Sequence, residues 1–233
     1  MKIRLDKLMS NQGLCTRSEV GRLLRSGQIT SLIEKLVAPS QKVEPKDIRF
    51  RGEPLDPLNL YILMYKPAGF VCSHEDKGEL IFTLLPERFS RRSPSLNTVG
   101  RLDKDTTGAL LLTDDGPLNH SLLAPAHHVA KFYEVFLEQP LEQNNVELLE
   151  AGGWFLDGDS KPLLPAKVSL LAPEHVLLTL TEGRYHQIKR MFSALGNRVV
   201  RLHRSSFAGL TLDGLSEGSW RFLDPQEVQK LKG

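Results

Sequence analysis

Apolar positions along this chain fall into two rhythms. Near the start, Leu5, Leu8 and Met9, then Val20, Leu23 and Leu24, recur at the spacing of one helix face. Gly13 and Gly27 follow these runs, where a left-handed residue ends a helix. Thr16 and Glu19 have the spacing of a capping box, which places the second helix start at Thr16. Beyond residue 60 the rhythm becomes mostly that of strands. Tyr61–Tyr65, Ala109–Thr113, Lys131–Leu137, Val168–Leu171, Val176–Thr181, Val199–Arg204, Leu210–Leu212 and Trp220–Leu223 read as strands. Short strands are also expected around Gln28–Ser31, Gln41–Val43 and Ile48–Phe50, before residue 60. Helices are expected from Pro117, over Leu141–Ala151, from Pro225, and around Ile188, Met191, Phe192 and Leu195, the last ended by Gly196-Asn197. Many connections have hairpin length, Ala172–His175 among them. Strands of this kind with scattered helices predict an α+β fold on a mostly antiparallel mixed sheet.

The order also predicts two parts. Residues 1–57 form a small unit and residues 58–233 a large one. Glu53-Pro54-Leu55-Asp56-Pro57 reads as a semi-rigid linker because two prolines disfavour helix. His74–Gly78 reads as a polar loop, and Arg88, Arg91 and Arg92 as a loop with two readings, plain solvated loop or mobile basic loop able to meet phosphates.

Composition changes the picture only through its distribution. The whole chain is near neutral, with 30 Lys and Arg against 28 Asp and Glu. Residues 1–57 hold 11 basic and 7 acidic residues, a pattern that fits a polyanion-binding module. Ser18, Arg22 and Arg25 share an outward face beside Arg17, which is also how an ordinary solvated helix face looks. No apolar run is long enough to span a bilayer, so no membrane partner is expected. Cys15 and Cys72 fit neither a disulfide framework nor a metal knuckle, which points to a reducing cytoplasm.

Chemistry has few places to reside. The chain lacks a phosphate loop, a dinucleotide fingerprint and a Gly-x-Ser-x-Gly elbow. His127, His128, His186 and His203 lack metal-ligand spacing and read as packed or surface residues, so no metal or cofactor is expected. Gly100-Arg101-Leu102-Asp103-Lys104-Asp105-Thr106-Thr107-Gly108 stands out, because it packs charged and hydroxyl residues at the mouth of an apolar strand. Asp103, flanked by Arg101 and Lys104, is set up to stay ionised. A polar turn that caps its own backbone would look the same. Asp105 is expected to point away from Asp103, which leaves no second carboxylate for a glycosidase-like pair.

Two resemblances add to this reading. Arg4–Leu8, Thr16–Val20 and Arg25–Ile29 resemble the S4 RNA-binding module, with its hairpin replaced here by Thr30–Lys35. That implies RNA contacts by Arg4, Lys7, Arg17, Arg22 and Arg25. Four ordered segments resemble the RluA/RsuA group of pseudouridine synthases: Lys66–Ser73, Gly100–Gly108, Lys131-Phe132-Tyr133 and Glu182–Met191. Thr113-Asp114-Asp115-Gly116 and Pro125-Ala126-His127-His128 are most similar to its RsuA branch. The resemblance implies a cofactor-free isomerase of uridine in RNA. It makes Asp103 the catalytic carboxylate, as nucleophile or base, and Lys189 its salt-bridge partner. Tyr133 would stack on uracil, and Arg101 would fill the space of the flipped base. It also implies uridine 516 of 16S ribosomal RNA as target, in a small-subunit assembly particle, with the enzyme a cytoplasmic monomer. Two alternatives stand beside it: a synthase acting on 23S ribosomal RNA, and a non-catalytic RNA-binding assembly protein.

Overall fold

The computed structural model describes residues 1–73 and 78–233. His74–Lys77, most of the loop expected at His74–Gly78, lies outside the described residues. The chain divides into two compact units. One comprises Met1–Tyr61 with Leu85–Asn97 and Thr113–Gly116. The other comprises Ile62–Leu84, Thr98–Leu112 and Pro117–Gly233.

The first unit is built on the early helical rhythm. Helices Leu5–Asn11 and Val20–Arg25 bury Leu5, Leu8, Met9, Val20 and Leu23 against Ile29, Val43 and Ile48. Each large aliphatic side chain withdrawn from water here contributes roughly 1.5–3 kcal/mol. Both helices end at the expected glycines. Gly13 and Gly27 have φ of 71°. In each case the next residue's N–H reaches back to the helix, Leu14 to the Met9 carbonyl at 3.2 Å and Gln28 to the Leu23 carbonyl at 2.9 Å. Gly13 carries a second constraint, since a Cβ there would lie 2.4 Å from the Arg88 carbonyl oxygen.

The capping box forms only in part. The Glu19 carboxylate accepts the Thr16 N–H at 2.8 Å, but the Thr16 hydroxyl donates to that same carboxylate at 2.7 Å rather than accepting from the backbone. Thr16–Glu19 is therefore a turn, and the helix starts at Val20. Strands Ile29–Ser31 and Ile48–Phe50 pair antiparallel, and Glu53–Pro54 adds a third strand to them.

Arg88, Arg91 and Arg92 do not form a loop of free basic side chains. Glu87–Ser90 is a short helix, and all three arginines have carboxylate partners. Arg88 binds Asp56 at 2.6 Å, Arg91 binds Glu87, and Arg92 makes a fully buried pair with Asp114 at 2.8 Å. The Thr-Asp-Asp-Gly turn is a clamp on the chain near Leu60. Thr113 donates to the Leu60 carbonyl at 2.7 Å, Asp114 accepts the Leu60 N–H at 2.7 Å, and the Tyr61 hydroxyl donates to Asp115 at 2.6 Å.

The second unit carries the large sheet, of nine strands among the described residues. Seven follow one path: Lys167–Ala172, His175–Leu180, Lys131–Leu137, Val199–Phe207, Thr107–Thr113, Tyr61–Lys66 and Trp220–Phe222. Neighbours are mostly antiparallel, as the hairpin-length connections predict. Thr107–Thr113 runs parallel to Val199–Phe207, with Gly108 opposite Arg204. Helix Gln187–Ala194 buries Ile188, Met191 and Phe192, and ends at Gly196 by the same motif seen at Gly13 and Gly27. Leu195 is only half-buried. Among the described residues, no helix is long and apolar enough to cross a membrane.

Removing Arg92 leaves the Asp114 charge buried without its partner. Arg92→Met is expected to cost about 3–5 kcal/mol in urea unfolding, whereas Arg88→Ala, which breaks a half-exposed pair, costs about 1 kcal/mol or less. Equal losses for the two variants would contradict this account of the segment.

Candidate active site

Asp103 sits in a cleft of about 680 Å³ in the second unit. Its position is set by contacts that the Lys66–Ser73 segment makes to the loop backbone. The Lys66 side chain is fully buried. Its ammonium donates to the Pro67 and Thr106 carbonyls, both at 2.9 Å, and to the Lys104 carbonyl at 3.4 Å. Burial pushes the Lys66 pKa down, and the Cys72 thiol with the carboxylates of Asp105 and Asp103 oppose it. Gly69 donates its N–H to the Lys104 carbonyl at 2.8 Å, and the Cys72 thiol reaches the Leu102 carbonyl at 3.4 Å. Three residues of the Lys66–Ser73 segment therefore hold three successive parts of the loop around Asp103. Gly108 closes that loop. A Cβ there would lie 2.2 Å from the Arg204 carbonyl oxygen, so no side chain fits.

The Asp103 side chain remains 26% exposed and faces two bases. Lys189 Nζ lies 3.2 Å from one carboxylate oxygen and His186 Nε2 lies 3.4 Å from the other. Lys189 also binds Asp105, at 2.5 Å. The expectation that Asp105 points away is corrected. Asp103–Thr106 is a turn, closed by the Thr106 N–H on the Asp103 carbonyl at 3.1 Å. An extended strand would also have put residues two apart on one face. Asp105 is 72% exposed, so it is the outer partner of the shared lysine. Burial pulls the Lys189 pKa down, but Asp105 and Asp103 outweigh it and hold it above the ordinary lysine value. Burial pushes Asp105 up, and Lys189 more than reverses this, holding it below the ordinary carboxylate value.

His186, read from the sequence as a packed or surface residue rather than a metal ligand, also faces Asp103. It adopts a left-handed conformation at the N-cap of helix Gln187–Ala194, with φ of 47°, and Tyr185 stacks on its ring at 3.9 Å. A usable signal was present, because positions 186 and 189 lie three apart at a helix start and share a face. The approach to this helix is held by Arg184. Its guanidinium binds Glu182, Asp159 at 2.9 Å and the carbonyls of Lys161 and Pro162, while Arg190 also binds Asp159 at 2.7 Å. That clamp gives the irregular Gly/Pro-rich stretch between Gly152 and Pro165 its fixed course.

Tyr133 lines the same cleft, almost fully buried, and Arg101 lines it as an exposed residue. Cleft and strand register thus bring Asp103, Lys189, Tyr133 and Arg101 into one site. Lys131, Arg204 and Phe207 also line it. Among the described residues, no cluster of His, Cys, Asp or Glu could hold a metal ion.

In the first unit, Arg17, Arg22, Arg51 and Arg91 line a hollow of about 420 Å³ with Thr16 and Glu19. Arg4, Lys7 and Arg25 are exposed but do not line it, and Arg4 is paired with Asp6 at 2.7 Å. Arg51 was not among the expected RNA contacts.

Comparison with known proteins decides the family. Residues 60–194 match the sequence model described as RNA pseudouridylate synthase. The chain belongs to the RNA pseudouridylate synthase family. Its relatives include the ribosomal small subunit pseudouridine synthase A of Yersinia pestis, 40% identical over 98% of both chains. The protein of that name from Escherichia coli K12 is 38% identical over 98% of this chain and 100% of its own. A solved pseudouridylate synthase structure superposes with a TM-score of 0.69 at 38% identity, covering 98% of this chain and 99% of the other. The family fold is the α+β arrangement described above.

A pseudouridine synthase breaks the bond from uracil N1 to the ribose and rejoins the base through C5. No atom is gained or lost, so the reaction consumes no group donor or acceptor.

The pairing of Lys189 with Asp105 gives a pH test. A carboxylate held below its ordinary value stabilises the fold above the unfolded carboxylate range, and that contribution is lost as pH falls through the folded value. Asp105→Asn is expected to lower Tm at pH 7 and to leave it unchanged at about pH 2, where the wild-type carboxylate is protonated as well. A difference in Tm that persists undiminished into acid would contradict the pairing.

Proposed function

We propose that this protein converts a uridine of bacterial 16S ribosomal RNA, at position 516, to pseudouridine. Its substrate is a small-subunit assembly particle, and it works as a cytoplasmic monomer without a cofactor. Support for the small-subunit target comes from the relatives above, whose names specify that subunit and whose length this chain matches almost throughout. The observation that carries the chemistry is the Asp103 carboxylate, held in the cleft between Lys189 and His186.

In this reading Asp103 attacks C1′ of the target nucleotide or takes a proton from its sugar. Lys189 keeps the carboxylate charged and oriented. Being a lysine, it supplies a point charge rather than a bidentate fork, which is what allows it to serve Asp105 as well. Tyr133 stacks on the uracil. A base in folded RNA must leave its stack to reach Asp103, and Arg101 occupies the place it vacates. Residues 1–57 act as the RNA-gripping domain and residues 58–233 as the catalytic domain. Arg4, Lys7, Arg17, Arg22 and Arg25 contact phosphates, so affinity falls as salt rises.

Tritium release from C5-labelled uridine in 16S RNA or its assembly particles tests this directly. The wild-type protein is expected to release tritium with pseudouridine appearing at position 516. Asp103→Asn is expected to release none while binding the RNA nearly as tightly. Activity in a folded Asp103→Asn protein would overturn the role of Asp103. Modification confined to 23S RNA would overturn the target.

A further inference from the structure

We propose that Lys131 and Arg204 form a cationic receptor for the uracil anion that exists while the base is detached from the sugar. This inference rests on the proposed isomerase reading.

Strand register brings the two cations together. In the pairing of Lys131–Leu137 with Val199–Phe207, Lys131 lies opposite Phe207 and Tyr133 lies opposite Arg204. Residues 204 and 207 are three apart and would face opposite sides of a regular strand. The register shifts between Phe132 and Tyr133, so Ser205 is skipped as a bulge. The extra residue restores the parity and sets Arg204 on the face of Lys131, Tyr133 and Phe207, all four of which line the cleft. The Phe207 ring takes both cations, with Arg204 Cζ 4.9 Å and Lys131 Nζ 5.9 Å from its centroid.

Neither cation has a carboxylate partner among the described residues. Arg204 is 2% exposed. Its Nε donates to the Ala109 carbonyl at 2.7 Å, but one terminal nitrogen is buried with no hydrogen-bond partner. Lys131 donates to the Val129 carbonyl at 2.9 Å. Burial pushes the Lys131 pKa down and Arg204 pushes it the same way, against the weaker pull of Glu182. A buried and a half-buried positive charge crowded without a paired carboxylate are costly. Every other buried or half-buried arginine of this cleft region is matched by acid, as Arg184 and Arg190 are by Asp159. The unmatched pair beside Tyr133 is therefore suited to a negative charge that arrives with the substrate.

The reaction supplies that charge. When the C1′–N1 bond breaks, its electron pair stays on uracil, spread over N1, O2 and O4. If Asp103 attacks, its charge is consumed in the new C1′–O bond. If it instead takes the sugar proton, it becomes neutral. Either way one unit of negative charge moves from Asp103 to the base. C5 then bonds C1′ with its own electron pair while the Asp103–C1′ bond breaks and returns its pair to the carboxylate, or, in the other route, while Asp103 gives its proton back to the sugar. C5 loses its proton and N1 gains one. Cations fixed in advance at the place where this charge develops lower the barrier to cleavage.

The test compares RNA carrying uridine or 5-fluorouridine at the target, under single turnover, following loss of the original nucleoside by mass spectrometry of digests. Fluorine stabilises the departing anion, so cleavage needs less help from cations. Lys131→Met is expected to slow uridine cleavage about 100-fold and 5-fluorouridine cleavage far less, with Lys131→Arg recovering part of the loss. Arg204→Lys, which keeps charge but loses the fork, is expected to widen the ratio in the same direction and serves alone if Lys131→Met does not fold. Equal slowing of both substrates, or an effect on RNA affinity alone as a phosphate contact would give, overturns the proposal. An inactive wild type on uridine RNA would instead refute the isomerase reading itself.

Discussion

The buried ammonium of Lys66 is the contact on which the site depends. It meets the carbonyls of Pro67, Lys104 and Thr106, and so ties the first strand of the second unit to the loop that carries Asp103. A lysine buried this completely is costly, and only good hydrogen bonds offset that cost. Once the loop is fixed, Gly108 can run against the Arg204 backbone where no Cβ would fit. Asp103 then meets a lysine and a histidine from a separate helix start. The Lys66-Pro67 turn thus positions Asp103 from outside the carboxylate's own surroundings.

Electrostatics divide the cleft. Around Asp103 the charges are matched, with Lys189 shared between two carboxylates and the approach to its helix held by the Arg184 clamp. Beside Tyr133 they are unmatched. That asymmetry suits a reaction in which negative charge passes from a protein carboxylate to a base.

Much of this was legible in the sequence, for identifiable reasons. Gly13, Gly27 and Gly196 end helices because a left-handed residue after a helix leaves a local mark. The strands and their antiparallel pairing followed from alternation and short connections. The four motifs named the family because the site draws on each of them. What failed depended on distant partners or on parity. Arg88, Arg91 and Arg92 looked like a free basic loop, since nothing local reveals that Asp56 and Asp114 wait for two of them. Thr16 and Glu19 had capping spacing, yet the hydroxyl chose the carboxylate over the backbone. Arg204 carries no local mark of its place in the cleft, because that place depends on the bulge at Ser205. His186 faces Asp103 through the fold of the helix start, which its histidine spacing alone does not show.

The central claim is that the Gly100–Gly108 loop aims Asp103 at a flipped base resting on Tyr133. The most direct measurement is a structure of the enzyme bound to RNA with 5-fluorouridine at the target position. The account predicts the target nucleotide out of its stack, its sugar C1′ bonded to or in contact with the Asp103 carboxylate, and its ring against Tyr133. A target base that stays stacked in the RNA, or that enters the protein away from Asp103, would contradict it.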